Sequence, residues 1–109
     1  MTGGRDPGAG RRIDFDRVGS AARRNADVVV AAFLAEGRKE GQEWVARNPR
    51  RPDKRLGSFK VNLATGRWAD FASGDKGGDL VGLVAFLLGL SQRDAAIRLA
   101  DALGVDPYE

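Results

Sequence analysis

The stretch that decides the fold is Ser58-Phe59-Lys60-Val61-Asn62-Leu63-Ala64-Thr65-Gly66-Arg67-Trp68-Ala69-Asp70-Phe71, followed by Ala72-Ser73-Gly74-Asp75-Lys76-Gly77-Gly78-Asp79. Polar and apolar residues alternate from Ser58 to Leu63, the period of a strand with one wet face. Ala64-Thr65-Gly66 carries the chemistry of a tight turn, and Arg67 to Phe71 alternates again. Two antiparallel strands joined by that turn are the simplest reading. Phe59, Val61 and Leu63 share one face, and Lys60 and Asn62 share the other. In the second strand Trp68 lies opposite Arg67, Ala69 and Phe71, so only one of the rings of Trp68 and Phe71 can be exposed. Phe59 and Phe71 are expected in the core, which leaves Trp68 as the candidate surface ring.

Outward from the hairpin the pattern becomes helical. After the glycine-rich loop 73–78, Asp79 begins an apolar run (Leu80, Val81, Leu83, Val84, Phe86, Leu87, Leu88) that ends at Gly89 and reads as a central core helix. Ser91 caps a last helix, with Asp94 three residues on, and Ala95, Ala96, Leu99, Ala100 and Leu103 form its buried stripe before Gly104 stops it. Upstream, Phe15 to Glu36 carries apolar residues at helical spacing, as one bent helix or as two with Asn25 capping the second, and Gly37 ends it. Trp44-Val45-Ala46 is a short strand, and Asn48 to Asp53 is a loop by its turn residues. Residues 1–12, rich in Gly and Arg, read as a disordered tail, and 13–109 as a single domain. The fold class is α+β: a small antiparallel β-sheet from about residue 42 to 71, flanked by N-terminal helices and a C-terminal helical pair.

Composition narrows the function. None of the 109 residues is Cys or His, which removes disulfides, thiolate and imidazole zinc sites, and nucleophilic catalysis of the Cys–His and Ser–His kinds. No metal and no cofactor are expected, and an enzyme would have to work with Asp, Glu, Lys, Ser or Tyr alone. The longest apolar run, Leu80 to Leu90, is about 11 residues where a membrane span needs about 20, and no signal peptide is apparent, so a cytoplasmic protein without a membrane partner is expected.

The net charge of +3 is unevenly spread. Between Gly37 and Lys60 stand Arg38, Lys39, Arg47, Arg50, Arg51, Lys54, Arg55 and Lys60 against three acidic residues, whereas from Val61 onward acids outnumber bases. A concentrated basic block suits the phosphate backbone, although a solvated loop would look the same. Basic residues interleaved with aromatic ones on a sheet suit a single strand, whose bases stack on rings while Lys and Arg hold phosphates. The candidate nucleic-acid-binding residues are Arg50, Arg51, Lys54, Arg55, Lys60, Arg67, Trp68 and Lys76. The loop Gly74 to Asp79 fits no phosphate signature, and Asp79 as a helix cap puts a negative charge where a phosphate would sit. Asp70, Asp75 and Asp79 do not have cation-loop spacing, and each is explained as a turn or cap.

The order of these residues resembles a known family. Asn48-Pro49-Arg50-Arg51, Gly57-Ser58-Phe59-Lys60-Val61-Asn62, Phe71-Ala72-Ser73-Gly74-Asp75-Lys76-Gly77-Gly78-Asp79, Leu90-Ser91-Gln92-Arg93-Asp94-Ala95 and Leu99-Ala100 through Leu103-Gly104-Val105 are similar to the zinc-ribbon domain of bacterial and phage DNA primases. That domain reads Cys-Pro-x-His, Pro-Ser-Phe-x-Val-Asn, Cys-x-x-Cys-Gly-x-Gly-Gly-Asp, then two helices with Leu-Ser-x-x-Glu-Ala. The match spans about residues 44 to 105 and is most like the divergent forms in phage and mobile-element primase–helicases. The ligand positions fall near Asn48, Arg51, Phe71 and Gly74, none of which binds zinc. The resemblance implies a metal-free ribbon in which Phe71, and Trp68 too if it is not the surface ring, supplies burial of about 2 kcal/mol. It further implies a non-catalytic accessory that binds single-stranded template DNA beside a primase, polymerase or replicative helicase. The alternative is a module that docks onto such a polymerase or helicase without touching nucleic acid.

Overall fold

A computed structural model of the chain describes residues 11–47 and 58–109. Helices α1 (Phe15–Arg24) and α2 (Ala26–Phe33) come first, then strands β1 (Arg38–Glu40), β2 (Glu43–Ala46), β3 (Phe59–Asn62), β4 (Trp68–Asp70) and β5 (Lys76–Gly77). Helices α3 (Leu80–Leu88) and α4 (Gln92–Leu103) complete the chain. The expected α+β class is what the structure has. The five strands form one antiparallel sheet in sequence order, β1-β2-β3-β4-β5.

Local chemistry accounts for most boundaries. Asp14 accepts from the Arg17 N–H at 2.9 Å to open α1, Asp79 from the Gly82 N–H at 2.7 Å to open α3, and Ser91 from the Asp94 N–H at 3.0 Å to open α4. Gly89 and Gly104 close α3 and α4 in the left-handed conformation that a side chain would resist. The segment 15–36 resolves into two helices. Asn25 sits at their junction, but its side chain donates to the Ala21 carbonyl at 2.8 Å and so closes α1 rather than capping α2. Gly37 is not the helix stop it resembles, because α2 ends at Phe33. It is glycine because the Trp44 indole occupies the space of a Cβ there, its N–H donating to the Leu34 carbonyl at 2.9 Å.

Two strands escape the sequence reading. β1 consists of Arg38, Lys39 and Glu40, all exposed, and therefore carries no apolar alternation. β5 lies in the glycine-rich loop and is two residues long. The segment 1–12 expected as a tail has its first ten residues outside those described. Arg11 and Arg12 are tied down: the Arg11 guanidinium donates to the Glu109 carbonyl at 3.2 Å, the Glu109 N–H donates to the Arg12 carbonyl at 2.9 Å, and Ile13 bridges Tyr108.

The helices cover one face of the sheet. Phe59, Val61 and Trp68 on that face join Val18, Val30, Leu80, Leu83, Val84 and Leu99 in a single core. Lys39, on the same side of β1 as Trp44, reaches Asp27 of α2 at 3.1 Å. The last two helices meet at 107°, and no single helix among the described residues is long and apolar enough to cross a membrane. Among the described residues no helix lies over the opposite face of the sheet, on which Val45 is nonetheless buried.

Candidate nucleic-acid interface

The open face is laid out by strand register. Pairing of β1 with β2 and β2 with β3 aligns Glu40, Glu43 and Asn62 in one row across the sheet, and Arg67 ends that row because its carbonyl accepts the Asn62 N–H at 2.7 Å. The next row holds Arg38, Val45, Lys60, Ala69 and Lys76. Phe71 follows on the same face, its N–H bonded to the Ser58 carbonyl at 2.8 Å. Lys60, Asn62, Arg67, Phe71 and Lys76 line one wide shallow concavity, with Glu43 on its β2 side and Arg23 reaching in from α1.

The electrostatics of this surface are set by what its charges lack. Lys60, Arg67 and Lys76 form no ion pair with any described residue, whereas Arg38 is taken by Glu40. The Phe71 ring is 72% exposed, and the Lys60 ammonium stands 5.8 Å from its centroid, within cation–π range. An exposed aromatic ring with one lysine beside it and further cations on the same face can stack a base and neutralise phosphates at once.

Of the residues singled out by sequence, Lys60, Arg67 and Lys76 are brought together here. Arg50, Arg51, Lys54 and Arg55 lie outside the described residues. Trp68 is corrected. Although it borders the concavity, it is 7% exposed, stacks on Phe59 at 5.8 Å and packs against Phe86 at 5.0 Å between centroids, and donates its indole N–H to the Asp79 carbonyl at 3.1 Å. No face of its ring is left for a base. The surface ring is Phe71, which was expected in the core. Alternation placed the two rings on opposite faces but carries no sign, and the side on which α3 packs supplied it. Glu43 and Arg38 are further members of the face, as is Asn62, which alternation already set beside Lys60; none of the three was singled out as a binding residue.

The turn from Asp70 to Asp75 shows what holds the hairpin end together. Asp70 is the one charged residue buried among those described, 1% exposed, and its Oδ1 accepts from the Ala72 N–H at 2.9 Å and the Ser73 N–H at 3.4 Å. Gly74, with φ +86°, lets the chain reverse, and its N–H donates to the Asp70 carbonyl at 2.8 Å. Phe71, expected to replace metal by burial, contributes nothing of the kind. Asp75 accepts from Ser73 Oγ at 2.8 Å and Asp79 caps α3, so the three aspartates each serve the backbone or a neighbour. With the Gly82 N–H occupied by Asp79, the start of α3 is closed to a phosphate by that cap.

No family model and no curated protein matches the sequence. Among solved structures, the crystal structure of the Aquifex aeolicus primase, containing its zinc-binding and RNA polymerase domains, is similar at 26% identity with a TM-score of 0.67. The similarity covers 87% of this chain and 22% of that one, so the chain spans about a fifth of the primase it resembles. The fold is primase-like. A zinc ion does not fit the residues present: the sequence has no Cys or His, and no three acidic side chains gather into a possible metal site among the described residues.

Proposed function

We propose that the open sheet face binds single-stranded DNA, and that the chain serves as a non-catalytic template-binding accessory of a primase or replicative helicase in a phage or mobile element. The observation that carries this reading is the exposed Phe71 ring beside Lys60, on a face whose cations Lys60, Arg67 and Lys76 have no acidic partner among the described residues. A protein stabilising itself through those charges would pair them. A surface presenting them unpaired around a ring is suited to a ligand with phosphates and flat bases. Similarity of fold to a primase supports the replication setting. The zinc-ribbon correspondence is part of the proposal, with Asp70 and its two N–H donors doing for the β4–β5 turn what a metal would do.

The rival reading, docking of the apolar helices onto a polymerase or helicase, would be favoured by a contiguous exposed apolar patch on α4. The large apolar side chains exposed among the described residues are Phe15, Val28, Phe71 and Leu88, none of them on α4.

Fluorescence anisotropy with labelled single-stranded and duplex oligonucleotides tests the proposal. Single strands are expected to bind more tightly than duplex. Phe71→Ala is expected to weaken single-strand binding by about 1–3 kcal/mol through lost stacking. Absence of binding at low salt, or a Phe71→Ala variant that binds as well as the parent, would overturn it.

A further inference from the structure

Glu43 is a carboxylate with no structural employment. It forms no hydrogen bond or ion pair with a described residue. It also stands directly across from Glu40 in the β1–β2 register, and like charges facing one another across an antiparallel pair are unfavourable. Glu40 is relieved by Arg38 at 2.6 Å, and Glu43 by nothing described. Beside it in the same row is Asn62, whose Oδ1 accepts from the Ala64 N–H at 2.8 Å and the Thr65 N–H at 3.0 Å. That fixes the amide orientation and leaves the NH₂ as the only unspent polar group of the side chain. Arg67 follows as a further donor. The row therefore presents an acceptor pair followed by donors, next to a row whose unpaired cations are Lys60 and Lys76.

A phosphate is repelled by Glu43, whereas a base edge that carries hydrogen-bond donors is attracted to it. Resting on the single-strand reading above, we infer that Glu43 is a specificity-determining residue that selects guanine in the bound strand. A carboxylate accepts two parallel hydrogen bonds, and guanine alone presents two adjacent donors, N1–H and N2–H, on its Watson–Crick edge. Adenine and cytosine each offer one amino group beside a ring acceptor that the carboxylate repels, and thymine offers one N–H between two carbonyls. The guanine O6, next along the edge, suits the donors of Asn62 and Arg67. The edge is exposed only in a single strand, in keeping with the proposed ligand.

The test is anisotropy titration of a labelled oligothymidylate against versions with one central thymidine replaced by deoxyguanosine, deoxyinosine, deoxycytidine or deoxyadenosine. The guanine oligonucleotide is expected to bind roughly tenfold more tightly than the thymine parent, with inosine, which lacks the N2 amine, falling between them. In Glu43→Gln, whose amide cannot accept both hydrogen bonds, the ratio of guanine to thymine affinity is expected to fall close to one. Its thermal midpoint is expected to be no lower than the parent's, since no described contact is lost and the repulsion with Glu40 is relieved. Equal affinity for all bases, or a guanine preference that survives Glu43→Gln, overturns the inference while leaving single-strand binding standing. Failure of every oligonucleotide to bind overturns both.

Discussion

Trp68 and Phe71 lie three residues apart and meet opposite environments. Trp68 is enclosed by Phe59 and Phe86 with its N–H satisfied, whereas Phe71 faces solvent. Truncation separates their roles. Trp68→Ala removes a large buried ring and its indole N–H bond to the Asp79 carbonyl, and is expected to destabilise the fold by about 3–5 kcal/mol, read as a lower denaturation midpoint in urea. Phe71→Ala is expected to change stability by no more than about 0.5 kcal/mol in the same titration, whereas it is expected to weaken the proposed DNA binding. A reversed pattern would place Phe71 in the core and remove it from the interface. The alternation that sets these rings on opposite faces is legible in the sequence. Which face is wet is not, because both residues are aromatic and only the position of α3 distinguishes them.

Among the elements, the helices are legible and the sheet edges are not. α3 and α4 announce themselves by caps, periodicity and closing glycines, all of them local chemistry. β1 is three charged residues, and β5 is formed by Lys76 and Gly77, so both exist because a neighbouring strand offers hydrogen bonds. Gly77 also has a steric duty. A Cβ there would lie 2.5 to 2.6 Å from the Trp68 ring atoms, a distance that forces the strand or the indole to move. Gly77→Ala is expected to cost about 1–3 kcal/mol by overcrowding, with the Trp68 fluorescence spectrum shifting as its packing loosens. An unaltered spectrum and midpoint would mean that β5 does not rest on the indole. Because β5 carries Lys76, the same substitution is a route by which packing beneath the sheet alters the face above it.

For the molecule as a whole, the distribution of charge is the property that the proposed function depends on. Helices bury one face of the sheet, and the cations Lys60, Arg67 and Lys76 collect on the other. These three, acting alone on phosphates, would give a slope of log affinity against log salt of about −2, at about −0.7 per phosphate for a single strand. With Arg50, Arg51, Lys54 and Arg55 also engaged the slope approaches about −5. The steeper value is expected, and neutralising Arg50, Arg51 and Arg55 together is expected to bring it down by about 2. A slope that stays near −2 in both proteins would confine the interface to the sheet.

By itself the sequence determined the α+β class, the helices and the caps of α3 and α4, the central hairpin and the concentration of basic residues, since each follows from the periodicity or chemistry of neighbours along the chain. It also determined the absence of thiolate and imidazole ligands, which composition alone decides. Only the tertiary structure decided that Trp68 is core and Phe71 is surface, that Arg38, Lys39 and Glu40 are a strand, that Asp70 is buried to hold a turn, and that Glu43 and Asn62 share a row with Arg67. Those outcomes depend on which face the helices cover and how the strands align. Both are set by contacts between residues far apart in the chain, to which a local pattern is blind.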